Sequence, residues 1–463
     1  MSRQTGIDVA YLLAAISFIL ALKGLSSPKR ARQGTFIGAV GMVLAVGATF
    51  FTEIDGHHLQ NLALMVGAMV LGVAIAVPMA RFMKMTSMPQ LIAIFNGVGG
   101  GAAALVSITE FLHLPLHQLA VYQVLEVVIG VLIGAMSFSG SAIAYAKLQE
   151  LMTGRPVTYP GQQVVNLLLF AGSLVLVVVL LVHPSTTLLW VLLVLSMVVG
   201  VSFVLPIGGA DVPVLISLLN SFTGLAVAAS GFTLNSDVLI VAGTLVGASG
   251  ILLTKLMSQA MGRSLPNIMF SAFGSATTGA ETSAEQRPVR SGTPDDIGVA
   301  LAYARKVVII PGYGLAVAQA QHTVRELAEQ LQAKGVETFF AIHPVAGRMP
   351  GHMNVLLAEA NVPYDELVEM DEANPQMSNA DVALVVGAND TVNPAAHTTP
   401  GSPIYGMPII NADQAKTVVF LKRSMRPGFA GIENELLYDP KTILLFGDAK
   451  DSLTKLVAAV KAS

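Results

Sequence analysis

Long apolar runs dominate the first 263 residues of the chain, and polar residues there fall mainly in short breaks between the runs. A helix that crosses a bilayer needs about 20 largely apolar residues. Only His183 and Pro184 separate the sixth run from the seventh, which leaves a count of eight spans open. We predict nine membrane-spanning helices, at residues 7 to 23, 34 to 51, 59 to 80, 89 to 109, 121 to 146, 164 to 183, 187 to 206, 212 to 231 and 237 to 257.

Basic residues in the loops decide between eight and nine spans. With nine spans, the first, third and fifth loops and the segment after the last span contain Lys and Arg, whereas the second and fourth loops contain Asp or Glu and no Lys or Arg. Because cytoplasmic loops hold the excess of Lys and Arg, we predict that the N-terminus lies outside and residue 264 onward lies in the cytosol. In chain order the basic residues are Lys23, Lys29, Arg30, Arg32, Arg81, Lys84, Lys147, Arg155, Lys255 and Arg263.

Beyond the last span, the pattern changes to short runs rich in β-branched residues that alternate with helical stretches. This alternation is typical of a parallel sheet with helices on both faces. The predicted fold class is an α-helical transmembrane bundle followed by a doubly wound, Rossmann-like α/β domain. We predict strands at residues 306 to 311, 337 to 343, 366 to 370, 381 to 386, 407 to 411, 417 to 421 and 442 to 446, and helices at 315 to 334 and from 448 onward.

Composition and charge support two domains. Hydrophobic residues make up 53% of the chain and charged residues only 12%, which is too apolar for an ordinary soluble protein. Residues 1–263 hold 11 Lys and Arg against 8 Asp and Glu, whereas the remainder holds 15 against 21. We assign residues 1–263 to a transmembrane domain, 264–297 to a linker rich in Gly, Ser, Thr and Pro, and 298–463 to a cytosolic domain.

The chain contains no cysteine. Disulfides, thiolate catalysis and Cys-ligated metal centres are therefore excluded, and we predict no metal site. The absence is also typical of a bacterial cytoplasmic (inner) membrane protein whose soluble part faces the cytosol. We expect a lipid bilayer around the spans and no nucleic-acid partner.

The strongest chemical signal is Gly312-Tyr313-Gly314-Leu315-Ala316-Val317, which follows the first predicted strand and opens a helix. Glycines in such a turn let the backbone approach a pyrophosphate, while free N–H groups and the helix dipole face its charge. The alternative is a tight turn without a ligand. A strand before the turn, a helix after it and further strands beyond favour a dinucleotide site.

Two other strand ends indicate which dinucleotide is bound. An NAD site usually has Asp or Glu at the end of the second strand, but this strand ends in Ala341-Ile342-His343-Pro344. An NADP site needs cations for the 2′-phosphate, and Lys422-Arg423-Ser424 follows the run at 417 to 421. Arg348 adds a cation on a Gly-rich loop. NADP is therefore favoured, with solvated surface charge as the alternative for the Lys-Arg pair.

A third loop, Gly387-Ala388-Asn389-Asp390-Thr391-Val392-Asn393-Pro394, follows the predicted strand at 381 to 386. Asn and Asp are common in turns because their side chains bond to nearby backbone, and this is the alternative interpretation. The functional interpretation is that Asp390 lies beside the nicotinamide ring and senses its redox state or a proton.

Four runs carry a resemblance to a known family: GYGLAVAQAQH (312 to 322), HPVAGRMPGHMNVLLAEA (343 to 360), GANDTVNPAA (387 to 396) and KRSMRPGFAGIEN (422 to 434). They resemble the beta subunit of proton-translocating NAD(P) transhydrogenase, and the resemblance extends over the membrane part. It implies that the soluble domain binds NADP(H) and that the spans translocate protons.

The resemblance also implies roles for individual residues. Residues 422 to 424 hold the 2′-phosphate, Gly312 and Arg348 hold the pyrophosphate region, and a predicted lid, Gly428 to Gly431, folds over the nucleotide. Some relatives have Tyr in this lid where the present chain has Phe429, so any role of a hydroxyl is lost.

Asn389 and Asp390 are the candidate catalytic residues, although hydride transfer needs mainly alignment of the two cofactors. The candidate cofactor-binding residues are Gly312, Tyr313, Gly314, Leu315, Ala316, Val317, Ala346, Gly347, Arg348, Met349, Pro350, Gly387, Ala388, Asn389, Asp390, Thr391, Lys422, Arg423, Ser424, Gly428, Phe429, Ala430 and Gly431.

The soluble region has room for one sheet only, so the chain lacks a second nucleotide site. By resemblance, NAD(H) binds to a separate alpha subunit, and two alpha and two beta chains form the enzyme. We therefore predict that this chain alone binds NADP(H) but transfers no hydride.

Polar residues inside apolar spans are costly in lipid and indicate function. The candidates for a proton path are Asn96, Ser141, Asp211 and Asn220, with Glu126 as the candidate for proton entry. The family often has a titratable His at the position of Asn96. Because Asn carries no proton, this residue can only order water, and the titrating group must lie elsewhere. Hydrogen bonding between helices is the alternative for Asn96 and Asn220.

Two rival classes of protein stay open on the sequence alone. A transporter or channel regulated by its nucleotide domain would favour NAD or a mononucleotide. A membrane dehydrogenase that delivers electrons to quinone needs a flavin, haem or iron–sulfur relay, and the lack of cysteine excludes Cys-ligated clusters.

Overall fold

The computed structural model describes residues 3–27, 30–54, 57–58, 61–83, 87–113, 120–149, 151–152, 157–208, 211–260, 265, 287–347, 351–399, 402, 404–428 and 430–463. The chain divides into two compact units, Met1–Thr254 and Lys255–Ser463. Most of the predicted linker, residues 266–286, lies outside the described residues.

Nine helices among the described residues are long and apolar enough to cross a membrane, which confirms the predicted spans. The break at Pro184 separates two helices, because proline lacks an N–H and disfavours helical backbone in the residue before it. Two short strands, β1 (Glu53–Ile54) and β2 (His57–His58), pair antiparallel. The helices are α1 (Arg3–Leu25), α2 (Ala31–Thr49), α3 (Leu62–Phe82), α4 (Met88–His113), α5 (Val121–Leu148), α6 (Gln162–Val182), α7 (Thr186–Val204), α8 (Val212–Thr233) and α9 (Asp237–Ala260).

Helix α5 lies at the centre of the membrane unit, where it packs against α4, α7 and α8. Buried apolar side chains form one cluster near each end of α5, around Val127 and around Ala144. Between these clusters α5 carries Ser137 and Ser141, whose side chains are buried. Outward positions of the helices are apolar and exposed, as expected of surfaces that face lipid rather than water.

A buried lysine closes the end of α7. Lys147 donates hydrogen bonds from Nζ to the carbonyl oxygens of Val204, Leu205 and Ile207, at 3.2, 2.6 and 2.6 Å. The last carbonyl groups of a helix have no partner within the helix, and a cation there also opposes the helix dipole. Lys147 lies in the last turn of α5 and not in the fifth loop where the sequence suggested it.

The soluble unit contains one sheet of six parallel strands, as the doubly wound fold predicts. Its strands are β3 (Lys306–Pro311), β4 (Glu337–Ile342), β5 (Leu367–Glu369), β6 (Val382–Val386), β7 (Thr417–Lys422) and β8 (Thr442–Phe446). They lie in the order β5-β4-β3-β6-β7-β8, so the order of the sheet reverses between β3 and β6. Buried apolar clusters cover both faces of the sheet, which explains why β6 is apolar at every position.

Among the described residues, seven helices accompany this sheet. The last of them, α16 (Ala449–Ala462), begins after Asp448, whose side chain accepts a hydrogen bond from the N–H of Lys450 at 2.9 Å. An Asp at this position supplies a partner for one of the free N–H groups of the first turn. The helices are α10 (Pro294–Ala302), α11 (Tyr313–Val317), α12 (Gln321–Ala333), α13 (His352–Glu359), α14 (Met370–Met377), α15 (Ala395–Thr398) and α16 (Ala449–Ala462).

The strand predicted at residues 407 to 411 is wrong, because this segment belongs to no sheet. The side chain of Asn374 donates to the carbonyl of Ile409 at 3.0 Å and accepts from the N–H of Asn411 at 2.9 Å. An apolar segment is thus held by a side chain instead of a neighbouring strand.

The single helix predicted at residues 315 to 334 is also wrong. The chain leaves the helical conformation after Val317 and resumes it at Gln321. Between them, Gln319 has a φ of +51°, and the N–H of Ala320 bonds to the carbonyl of Leu315 at 3.2 Å. No Gly or Pro marks this break in the sequence.

Candidate functional site

Loops that follow β3, β6, β7 and β8 enclose a cleft of about 400 Å³ at the carboxyl edge of the sheet. Doubly wound proteins bind ligands at this edge, beside the point where the strand order reverses. The cleft is lined by Gly314, Val317, Ala318, Gly387, Ala388, Asn389, Leu421, Lys422, Arg423, Ser424, Arg426, Pro427, Gly428, Gly447, Asp448 and Ala449.

The predicted Gly-rich turn starts at the end of β3 and packs against the loop after β6. Gly312 N–H donates to the carbonyl of Val386, and Gly314 N–H donates to the carbonyl of Gly387, each at 2.9 Å. A Cβ at Gly312 would overlap the backbone of Ala388. Gly387 has a φ of +68°, which glycine adopts without strain. The two loops therefore meet backbone to backbone.

Only part of this turn faces the cleft. Gly314 and Val317 line it, whereas the side chains of Leu315 and Ala316 are fully buried in the core. The centroid of the Tyr313 ring lies 6.4 Å from that of the His352 ring, at the start of α13. Leu315 and Ala316 are therefore able to meet a ligand only through their backbone.

A chain of hydrogen bonds joins the end of β7 to the third loop and to the predicted lid. Lys422 Nζ donates to Asn389 Oδ1 at 3.2 Å, and Asn389 Nδ2 donates to Asp390 Oδ1 at 3.0 Å. The other oxygen of Asp390 accepts a hydrogen bond from Ala430 N–H at 2.8 Å. Both candidate catalytic residues thus share one network with a candidate phosphate-binding cation.

The charge of the cleft lining is positive. Lys422, Arg423 and Arg426 contribute three basic side chains, and Asp448 is the one acid among the lining residues. Burial lowers the pKa of Lys422, and the carboxylate of Asp390 opposes this shift. Such a lining suits a phosphate group, which Lys and Arg bind through charge-assisted hydrogen bonds.

Several candidate binding residues lie away from the cleft or outside the described part of the chain. Ala346 and Gly347, in the loop after β4, do not line the cleft, and neither does Gly431. The binding roles of all the candidate residues, Thr391 among them, stay predictions. Arg348, Met349, Pro350 and Phe429 lie outside the described residues.

The end of β4, where an NAD site usually has an acid, holds a buried histidine. His343 Nδ1 accepts a hydrogen bond from the N–H of Val345 at 3.2 Å, and Nε2 donates to the carbonyl of Pro408 at 2.7 Å. Burial lowers the pKa of His343 to about 4, although its bond to Pro408 acts in the opposite direction. The ring is therefore neutral near pH 7 and connects two loops.

Two residues that matter for the geometry were not singled out in the sequence. Asn434 donates from Nδ2 to the carbonyl of Asn389 at 3.0 Å and is almost fully buried. Arg426 lines the cleft. Both lie within the run at 422 to 434, but only the proximity of Arg426 to Lys422 and Arg423 offered a sequence signal.

Two of the proton-path candidates meet in the membrane unit. Asn96 on α4 donates from Nδ2 to Ser141 Oγ at 2.8 Å and to Ser137 Oγ at 3.4 Å. Ser137 Oγ lies 2.6 Å from Thr223 Oγ1 on α8. The oxygen Oδ1 of Asn96 is buried and, among the described residues, has no hydrogen-bond partner. Sequence reasoning missed Ser137 and Thr223, although hydroxyls inside a span are a detectable signal.

The other proton-path candidates lie elsewhere. Glu126 lies about 16 Å along α5 from Ser137, at the usual rise of a helix, and it is only partly buried. Asp211 is buried directly before α8, and its side chain does not cap that helix. Asn220 on α8 is partly buried and is not among the residues that bond to Asn96. The roles of these three residues stay predictions.

Comparison with known proteins shows the family of the chain. A family model described as "NAD(P) transhydrogenase beta subunit" matches residues 7–459. Two relatives named "NAD(P) transhydrogenase subunit beta", one from Rhodospirillum rubrum and one from a named strain of that species, are each 47% identical over 459 residues. The alignments cover 97% of this chain and 98% of each relative. With its nine apolar helices and its Rossmann-like domain, the chain belongs to the NAD(P) transhydrogenase beta subunit family.

Proposed function

We propose that this chain binds NADP(H) in the cleft and exchanges hydride with NAD(H) on an alpha subunit while protons cross the membrane domain. The observation that carries this proposal is the difference between the residues at the end of β7 and those at the end of β4. Lys422 and Arg423 lie in the cleft at the end of β7, whereas the end of β4 holds the neutral His343 in place of an acid. A 2′-phosphate needs cations and a ribose hydroxyl prefers an acid.

The residues of the cleft fit the parts of NADP(H). The turn after Gly312, which lines the cleft through Gly314, is the proposed contact for the pyrophosphate, with Arg348 as the predicted second contact. Residues 422 to 424 take the 2′-phosphate. Asn389 and Asp390 lie between that phosphate site and the predicted lid. Their hydrogen bonds keep the two in a fixed relative position.

The bound nucleotide supplies the carbon that gives or accepts the hydride, so the protein has to align it and exclude water. Asp390 serves this task by accepting the N–H of Ala430, which draws the predicted lid over the cleft. Asn389 and Lys422 fix the orientation of Asp390 from the opposite side. We assign to Asp390 the additional role of sensing the redox state of the nicotinamide.

In the membrane domain we propose that protons pass along the interface of α4, α5 and α8. Asn96 and Ser141 order water there, and the unsatisfied Oδ1 of Asn96 supports this role because a buried carbonyl oxygen needs a partner. Glu126 is the proposed entry group, and Asp211 and Asn220 complete the path toward the soluble domain. The N-terminus lies outside the bacterial inner membrane, and the NADP(H) domain lies in the cytosol.

The proposal requires a partner, since the soluble unit contains one parallel sheet among its described residues and NAD(H) needs a site of its own. We expect the purified full-length chain in detergent to transfer no hydride from NADH to NADP⁺. Addition of the alpha subunit restores transfer, in an assembly of two alpha and two beta chains. Because NADH and NADPH have the same absorbance spectrum, the assay uses an NADP⁺ analogue whose reduced form absorbs at a different wavelength, and the appearance of that absorbance reports hydride transfer. Measurable turnover by the purified chain without the alpha subunit contradicts the proposal.

A further inference from the structure

We propose that Arg426 is a third cation for the 2′-phosphate and that it increases the preference of this chain for NADP(H) over NAD(H). This inference rests on the proposed function, because it assigns Arg426 to the same nucleotide. The supporting observations are the position of Arg426, the pairing of the other basic residues and the proline that follows it.

The position of Arg426 is fixed from both sides. On one side, Lys422 at the end of β7 donates to Asn389 at 3.2 Å. On the other side, Gly428 packs so closely on the third loop that a Cβ there would overlap Asp390. Arg426 lies between these two attachments and lines the same cleft as Lys422 and Arg423. Its backbone is therefore held beside the other two cations.

Arg426 is also available to a ligand. Its side chain is exposed to the cleft and forms no ion pair in the part of the chain that the structure describes. Among the described residues of the soluble unit, five basic residues outside the cleft do pair with a carboxylate. Such pairs are Lys306 with Glu337, Arg325 with Glu329, Lys416 with Asp381, Lys461 with Glu326 and Arg287 with Glu435.

Pro427 restricts the conformation of Arg426. A proline disfavours the helical region for the residue before it and confines that residue to extended backbone. The backbone of Arg426 therefore has fewer conformations to lose when the guanidinium binds a phosphate, and binding costs less conformational entropy. The sequence Arg-Pro-Gly thus combines a cation, a rigid residue and a close backbone contact.

The chemistry of the ligand determines which phosphate Arg426 meets. A phosphomonoester carries close to two negative charges at neutral pH and offers three acceptor oxygens. Lys422 and Arg423 supply two cations, and the planar fork of Arg426 adds bidentate contacts that a lysine lacks. NAD(H) has a hydroxyl in place of this phosphomonoester. Arg426 therefore contributes to NADP(H) binding and not to NAD(H) binding.

Calorimetric titration of the full-length chain with NADP⁺, NAD⁺, 2′-AMP and 5′-AMP tests the assignment, with Arg426→Gln compared with the wild type. We expect binding of NADP⁺ and 2′-AMP to weaken by roughly 5- to 20-fold, because the substitution removes one charge-assisted contact whose strength is reduced by solvent exposure. NAD⁺ and 5′-AMP binding stays unchanged. Arg426→Lys retains part of the affinity, since it keeps the charge and loses the fork.

Arg305→Gln is the matched control. Arg305 is an exposed arginine before β3, at the opposite end of the sheet, and only its backbone N–H bonds to Asp381. This control removes the same charge and keeps wild-type affinity for all four ligands. Below about pH 6 the phosphomonoester gains a proton, so the difference between wild type and Arg426→Gln decreases.

The outcomes separate this inference from the proposed function. Wild-type preference for NADP⁺ with unchanged affinity in Arg426→Gln overturns the inference and leaves the proposed function intact. Equal weakening of NADP⁺ and NAD⁺ also overturns it, because Arg426 then contacts a phosphate that both nucleotides share. A wild-type chain without preference for NADP⁺ contradicts the proposed function itself.

Discussion

Gly312→Ala is expected to abolish tight NADP(H) binding and to destabilise the soluble domain. The new methyl group would overlap the backbone of Ala388, so the loops after β3 and β6 must separate. Their two hydrogen bonds, each 2.9 Å long, then lengthen. We expect a loss of about 1–3 kcal/mol in unfolding free energy, as for overpacking elsewhere, and roughly 100-fold weaker NADP⁺ binding.

Denaturant unfolding and calorimetric titration of the full-length chain measure the two effects. Gly172→Ala is the matched control, because this glycine in α6 has open space around its Cα. Alanine is preferred to glycine in a helix, so the control loses neither stability nor affinity. Wild-type affinity in Gly312→Ala would mean that the turn does not meet the nucleotide.

Asp390→Asn is expected to release the predicted lid. The carboxylate of Asp390 accepts the N–H of Ala430 at 2.8 Å and faces Lys422 through Asn389. Hydrogen bonds to a charged group contribute about 1.5–3 kcal/mol, more than those to a neutral group. We expect NADPH to dissociate roughly 10- to 100-fold faster, and hydride transfer in the assembled enzyme to fall because the lid no longer excludes water.

Stopped-flow fluorescence of NADPH, chased with excess NADP⁺, measures the dissociation rate. Asp451→Asn removes the same charge from an exposed position in α16 and retains the wild-type rate. If Asp390→Asn also released NADPH at the wild-type rate, Asp390 would not control the lid. Loss of transfer with an unchanged rate would instead support the redox-sensing role alone.

Much of the soluble fold follows from the sequence because its signals are strong and local. β3 and β6 are almost continuously apolar and directly precede Gly-rich loops, and both were predicted to within one residue. The spans were equally clear, since lipid exposure makes almost every position apolar. Elements whose own residues determine their conformation are therefore predictable.

Elements held by distant groups were not predictable. Residues 407 to 411 have the composition of a strand, yet Asn374 takes their backbone hydrogen bonds. Gln319 adopts a positive φ without the Gly that usually signals it. Asn434 supports the third loop from a position whose sequence context gives no indication of that role. For residues 407 to 411 and for Asn434 the hydrogen-bond partner lies far away along the chain, whereas at Gln319 no residue type in the sequence marks the break.

The residues of the candidate site could be predicted from sequence motifs, but the hydrogen bonds that connect them could not. The sequence indicated that Lys422, Asn389 and Asp390 belong to one region, because all follow parallel strands. Only the structure reveals that they form one hydrogen-bonded chain that reaches Ala430. Likewise, the meeting of Asn96 with Ser141 depends on how α4 and α5 pack.

Family membership decides among the rival classes considered for the sequence. The family model that matches residues 7–459 describes a transhydrogenase subunit, which favours this class over a regulated transporter or a quinone-linked dehydrogenase. Asn96 retains mechanistic interest, since the resemblance stated for the sequence implies a titratable His at this position in other members of the family. The network around it offers hydroxyls and one unsatisfied oxygen, which suit ordered water better than a fixed proton carrier.

The most direct test of the central claim is a comparison of NADP⁺ and NAD⁺ binding to the purified full-length chain by calorimetric titration. The account predicts one site per chain that binds NADP⁺ about 100-fold or more tightly than NAD⁺, since several charge-assisted contacts to the 2′-phosphate are lost with NAD⁺. Equal affinity for the two nucleotides, or tighter binding of NAD⁺, would contradict it.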